Sequence, residues 1–215
     1  PDMPLLDPFC GSGTIAIEAA SIACGLVPGI SRSFGFEKLL NFDRELWTEL
    51  REDAKSEVNL HREVSITASD ISSIVVRKAE ANALRAGLGG LLESGNLKFS
   101  VCDARNVLPP TETPGIIVAN PPYGEQSTPR SATVGSMMRH VADNLKHNFA
   151  GWTAWMLTSD RHLPGEMHLK EGRKTVLFNG PLECRFFKFD LVAGSNRRVK
   201  NRDAASDSTP SDAES

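Results

Sequence analysis

Basic charge is what this chain has too little of to hold a polyanion unaided. Its 215 residues carry 24 Lys and Arg against 27 Asp and Glu, a formal net charge of −3. A domain that grips nucleic acid by phosphate contacts alone should show a basic footprint, so any such affinity has to be supplied from elsewhere. Cysteine is sparse and unpatterned. Cys10, Cys24, Cys102 and Cys184 show neither C-x-x-C spacing nor a paired His; they suggest reduced thiols rather than zinc or a disulfide framework. Histidine offers no ligand set either: His61, His162 and His168 lack carboxylate or cysteine spacing, and His140 and His147, seven apart on one expected helix, read as surface residues. No run approaches transmembrane length and no charged-then-apolar leader is present. No internal repeat appears. What remains, 40% hydrophobic and 24% charged residues, suits one soluble, cytoplasmic, metal-free domain over residues 1–194. The tail 195–215 changes character, with Arg197, Arg198, Lys200 and Arg202 followed by Ser, Asp, Ala and Thr, and its composition predicts disorder.

The most informative stretch present is Asn120-Pro121-Pro122-Tyr123, directly after the apolar run 115–119. An exocyclic amino group on a heteroaromatic ring is a poor nucleophile, because its lone pair is delocalised into the ring. The Asn120 side-chain oxygen and the Pro121 carbonyl can both accept from such a group, orienting it and favouring the positive charge that develops on attack. Two prolines stiffen the turn, and Tyr123 offers a face on which an unpaired base can stack. The structural alternative is an ordinary Asn-Pro turn after a strand.

A second motif begins with the short apolar strand 4–7, followed by Pro8-Phe9-Cys10-Gly11-Ser12-Gly13-Thr14 and an amphipathic helix over 15–24. Glycines at 11 and 13 allow close backbone approach, and a helix start presents free N–H groups. Read as Gly-x-Gly-x-x-Ala, the loop is compatible with a dinucleotide site, a nucleoside site or tight strand–helix packing. A nicotinamide unit should show a ribose-binding acid about 20 residues on. Here the plausible acid, Asp70 after the strand-like 64–68, lies beyond a helical insertion, which disfavours a dinucleotide. A third strand, 97–101, delivers Asp103. Ligands of open α/β sheets bind at the carboxyl ends of the strands, so the turns at Asp7, Asp70, Asp103 and Asn120 are expected to converge on one cleft.

The string from Asp7 to Ala20, then Phe34-Gly-Phe-Glu37, Ser69-Asp70-Ile71 and Asn120-Pro-Pro-Tyr-Gly-Glu125 resembles the catalytic domain of the THUMP-associated guanine-N2 RNA methyltransferases. The likeness runs from about residue 1 to 190 and includes Gly151-Trp152 and Asn179-Gly-Pro-Leu-Glu-Cys184. Within that family the pattern most resembles the bacterial enzymes acting on 23S ribosomal RNA, with the transfer-RNA enzymes the near alternative. Asn-Pro-Pro-Tyr alone is shared with adenine-N6 DNA and protein-glutamine methyltransferases. The resemblance implies a Rossmann-like class I methyltransferase fold, α/β, with a mostly parallel seven-stranded sheet and an antiparallel last strand. It implies S-adenosyl-L-methionine as cofactor, bound by Asp7, Phe9, Cys10, Gly11, Ser12, Gly13, Thr14, Asp70, Ile71, Asp103, Ala104 and Asn120. Asn120, Pro121, Pro122 and Tyr123 are the catalytic set it implies, with Asp70 on the ribose and Asp103 on the adenine amino group. Asp7 or Glu125 could assist loss of the extra proton. RNA is the implied partner, held mainly by an upstream THUMP domain expected to be missing here together with a segment covering the methionine end of the cofactor.

Rival readings are a pyrimidine-C5 methyltransferase, an adenine-N6 DNA enzyme and a non-catalytic nucleic-acid-binding module. The first needs a Cys nucleophile at the target turn, and 120–125 contains none. The periodicity predicts the order β-α, insertion, β-α-β-β-α-β-α-β-β. Within the insertion, from 25 to about 64, Leu46, Trp47, Leu50, Ala54 and Val58 fall near one helical face, with Trp47 expected in the core. Ser72-Ser73 should cap a helix over 74–86 that Gly87 ends, another helix should span 133–149, and 152–158 should be a central strand.

Overall fold

The computed structural model describes residues 2–30, 32–122 and 131–193, the first three of the last segment by backbone alone. The expectations for Tyr123, Glu125 and the tail 195–215 lie outside them. Seven strands, β1 Leu5–Asp7, β2 Ile66–Asp70, β3 Leu97–Val101, β4 Ile116–Ala119, β5 Thr153–Thr158, β6 Arg173–Asn179 and β7 Leu182–Asp190, form one sheet in the order β3-β2-β1-β4-β5-β7-β6. The first five pair in parallel, and β7 runs antiparallel to both β5 and β6. The chain reverses at β1, whose neighbours are β2 on one side and β4 on the other. That is the topological switch point at which open α/β sheets take ligands.

The helices are α1 Thr14–Ala23, α2 Arg44–Ser56, α3 Ser73–Arg85, α4 Gly89–Ser94, α5 Ser131–Asn148 and α6 Leu163–Glu166, with a 3₁₀ turn at Gly35–Lys38. Among the described residues no helix is long and apolar enough to cross a membrane. One core cluster packs alanines of α1 and α3 against Leu5, Ile66, Ala68 and Leu97 of the first strands. A second packs Met138, Val141, Leu145 and Phe149 against Ile117, Met156, Phe187 and Phe189. These follow the two periods in the sequence, alternation along strands and 3.6 along helices.

Three local expectations need correction. The strand at 64–68 is shifted to 66–70, with Asp70 at its end as expected. Ser72 is the N-cap of α3 but makes no side-chain cap bond; Asp70 Oδ1 instead accepts from the Ser72 N–H at 2.9 Å. Helix α2 buries none of its residues, and Leu46 and Leu50 are each 51% exposed. Trp47 is half-buried, in an aromatic group with Phe34 and Phe36 rather than in either core cluster. Helix α4, a turn and a half stopped by Gly95 in the left-handed conformation, was not among the expected elements.

Candidate functional site

The carboxyl ends of β1, β2 and β3 are tied to one another by backbone and carboxylate bonds. Cys10 N–H donates to the Ser69 carbonyl at 2.9 Å, and Cys102 N–H to the Asp70 carbonyl at 3.1 Å. Gly11 N–H donates to Asp70 Oδ2 at 3.2 Å, so Asp70 anchors the glycine loop while keeping unused lone pairs. The two loop glycines do different work. Gly13 has φ +88°, and a Cβ there would lie 3.0 Å from Ala79 Cβ and 3.2 Å from Phe99; it permits tight packing of α1. Gly11, at φ +52°, would place a Cβ with nothing within 4 Å among the described residues.

Asp7 is 1% exposed. Phe9 N–H donates to its Oδ1 at 3.1 Å, while Oδ2 is buried without a partner among the described residues. Burial pushes its pKa up to about 7, the Phe9 bond opposes this, and the nearby Asp70 charge adds to it. A buried carboxylate oxygen lacking a donor is expensive, and a cationic ligand group beside it would relieve that cost. Burial, with the charges of Asp7 and Asp70, pushes the Cys10 thiol up to about 12. It is therefore not a thiolate nucleophile at neutral pH.

Asp103 lies two residues beyond β3, half-buried, in a turn closed by the Asn106 N–H on its carbonyl at 2.8 Å. Its carboxylate is already engaged by Arg105, which holds it below the usual carboxylate range by hydrogen bonding. Ile71 is 68% exposed beside Asp70. Ala104 is buried, and Phe9 half-buried.

β4 pairs with β1, so the turn that starts at Asn120 leaves the sheet beside the glycine loop. Asn120 is exposed, Pro121 buried and Pro122 half-buried. The strand therefore delivers the Asn side chain at the surface while the first proline is locked into the structure. An open depression of about 460 Å³ lined by Arg139, Arg161, His162, Pro164, Gly165, Glu166 and Glu171 shares no residue with these turns.

Sequence reasoning missed three residues that shape this edge. Asn82 on α3 donates to the Ser12 carbonyl at 2.8 Å, and Asn144 on α5 to the Val107 carbonyl at 2.8 Å. Both sit inside helices, where Asn is a poor choice unless its side chain has a partner; that mismatch was the available signal. The third is Arg105, whose pairing with Asp103 no spacing rule announces.

A parallel sheet reversing at a glycine loop, closed by an antiparallel hairpin and carrying acids at the ends of its first strands, is the architecture of Rossmann-like class I methyltransferases. A family model described as the RMKL-like methyltransferase domain matches residues 1–188, and the chain belongs to that family. It is 41% identical over 201 residues to the ribosomal RNA large subunit methyltransferase K/L of Shewanella baltica (strain OS155), covering 90% of this chain and 27% of the relative. The chain thus spans about a quarter of the length of the curated relatives it matches. Among solved structures it is similar to SMU.472, assigned as a methyltransferase and complexed with SAH, with TM-score 0.78 and 26% identity over 91% of this chain and 50% of that one. It is also similar to a predicted N6-adenine-specific DNA methylase from Listeria monocytogenes str. 4b F2365, with TM-score 0.77 and 29% identity over 89% and 47% of the two chains.

Proposed function

We propose that this domain transfers a methyl group from S-adenosylmethionine to the exocyclic N2 of a guanine in 23S ribosomal RNA. The observation that carries the reading is the meeting of the Asp7, Asp70 and glycine-loop turns beside the strand that ends in Asn120. Two features of the chain fit the cofactor: the buried Asp7 oxygen lacking a donor suits a cationic methionine portion, and the open side of Gly11 suits a close-lying ligand. Bound there, the cofactor would supply an electrophilic methyl group on a sulfonium leaving group. Asp70 would accept from the ribose hydroxyls, Asp103 from the adenine amino group, and Ile71 would cover the base. Phe9, Cys10, Ser12, Thr14 and Ala104 would complete the cleft.

Asn120 and the Pro121 carbonyl would accept from the target amine, holding it for in-line attack and favouring the charge that appears there. Pro122 stiffens the turn, and Tyr123 is assigned the stacking role by the motif. Loss of the extra proton can follow transfer, so no strong base is required. The large-subunit RNA as substrate is supported by the name of the Shewanella relative, and the N2 position by the resemblance of the motif string. RNA affinity would rest mainly with a THUMP domain elsewhere in the polypeptide, in keeping with the net charge of −3.

A second reading, adenine-N6 methylation of DNA, is favoured by the description of the Listeria neighbour. One assay separates them. Isotopically labelled cofactor is incubated with the full polypeptide, its RNA-binding domain included, and either deproteinised 23S RNA or duplex DNA, and the digested nucleosides are analysed by mass spectrometry. Labelled N2-methylguanosine is expected from RNA. Labelled N6-methyladenine from DNA would replace the first reading with the second, and no label in either would sink both.

A further inference from the structure

We propose that Arg105 is a latch on Asp103, occupying the carboxylate that reads the adenine of the cofactor and swinging away each time the cofactor docks. This rests on the reading of the cleft as an S-adenosylmethionine site. Arg105 Nε lies 3.0 Å from both carboxylate oxygens, Nη2 lies 2.5 Å from Oδ2, and the Arg105 backbone N–H donates to Oδ1 at 2.9 Å. Three N–H groups thus bond the carboxylate, the single Nε–H being shared between its two oxygens. An ionised carboxylate offers about four lone-pair sites in all, so an incoming amino group meets acceptors that are mostly taken. The adenine N–H and the guanidinium compete for the same acceptors.

The Arg105 side chain is free to yield. It is 49% exposed against 19% for Asp103, so the acid stays seated while the arginine can move into water. The turn does not depend on it. Asn106 N–H bonds the Asp103 carbonyl, Cys102 N–H bonds the Asp70 carbonyl, and Asn144 holds the Val107 carbonyl from α5. The latch keeps Asp103 ionised and oriented in the empty site, and in doing so it subtracts from cofactor affinity. It also favours ligands that bring a donor. Adenine presents an amino group to the carboxylate, whereas hypoxanthine presents a carbonyl oxygen there, which the carboxylate repels.

The test is calorimetry with S-adenosylhomocysteine and its inosine analogue on the wild-type protein, Arg105→Ala and Arg105→Lys. Arg105→Ala should bind S-adenosylhomocysteine roughly two- to fivefold more tightly, the scale of a half-exposed ion pair, with Arg105→Lys between it and wild type. The inosine analogue should gain nothing, and the wild-type-to-mutant gap should shrink as salt rises. Melting temperatures within about a degree of wild type are expected for both variants, since a half-exposed ion pair contributes little to stability. Unchanged or weaker binding by Arg105→Ala, or equal tightening of both ligands, would overturn the latch while leaving the cofactor site standing. Absence of S-adenosylhomocysteine binding by every form would overturn the cofactor reading and the latch together.

Discussion

The two halves of the sheet are packed in opposite ways. Around β1 to β3 the helices meet the strands through small residues: Ala16, Ala20 and Ala23 of α1, Ala79 and Ala83 of α3, and Ala68 between them. Around β4, β5 and β7 the space is filled by bulk, with Phe149, Trp152, Phe187 and Phe189 joined by Met138, Met156 and Met167. Short side chains let α1 and α3 approach the sheet closely, while the parallel pairing of β1 with β2 brings the loops after them within hydrogen-bonding distance of each other. Large ones anchor α5 and the strand that carries Asn120. One half is built for proximity and the other for mass, so enlarging residues should harm the first and truncating them the second.

The largest effect is expected from truncation in the bulky half. Phe187 is 2% exposed, and Phe187→Ala should cost about 3–5 kcal/mol of stability by transfer and cavity terms, read by urea unfolding. A loss below about 1 kcal/mol would mean that this half is not held by volume. Next is Asp7, in the half built for proximity. Its folded-state pKa is raised from 3.8 to about 7, so between those values the folded domain holds a proton that the unfolded chain releases. The stability Asp7 contributes is fully present below about pH 4 and is lost as pH rises through 7, by up to roughly 4 kcal/mol. Asp7→Asn should flatten that dependence, and parallel stability-versus-pH curves for the two proteins would refute the buried-acid account.

The chemical contrast comes third. Asn120→Ala should slow single-turnover methyl transfer by roughly a hundredfold or more, as the loss of one preorganised polar group does, with cofactor affinity little changed. If melting temperature and cofactor affinity fell together instead, Asn120 would be a turn cap and not part of the chemistry. The smallest effect sharpens the comparison within one loop. Gly13→Ala should destabilise by about 1–3 kcal/mol through crowding against Ala79 and Phe99, whereas Gly11→Ala should lower cofactor affinity with a smaller change in stability. Equal behaviour of the two glycines would show that neither side of the loop is reserved for a ligand.

Much of the fold was legible because its signals are local. The apolar run before Asn120, the alternation at 97–101 and the glycines after Asp7 each report on a few adjacent residues, and the structure carries β4, β3 and the loop where they pointed. Helix α2 was legible as a helix but not in its packing. Its Asp43 cap, accepting from Leu46 N–H at 3.0 Å, is a short-range bond, whereas the fate of its apolar face depends on which distant surface is available to cover it. The Ser72 cap was legible in position but not in bonding: Ser72 is the N-cap of α3 without a side-chain cap bond, and Asp70, two residues earlier, accepts from its backbone N–H, a local turn that helix propensity does not report.

The sequence by itself determined the order of strands, the acids at or just beyond the ends of the first three and the Asn-Pro-Pro turn after the fourth, because strand period, glycine and proline act through the nearest few bonds. Tertiary structure alone decided which carboxylates are alike in use. Asp7 is buried and pushed towards neutrality, Asp70 is spent partly on the Gly11 loop, and Asp103 is held ionised by Arg105. Three identical residues at or just beyond the ends of three strands differ because desolvation and hydrogen-bond competition depend on everything within a few ångströms in space, and that neighbourhood exists only once the chain has folded.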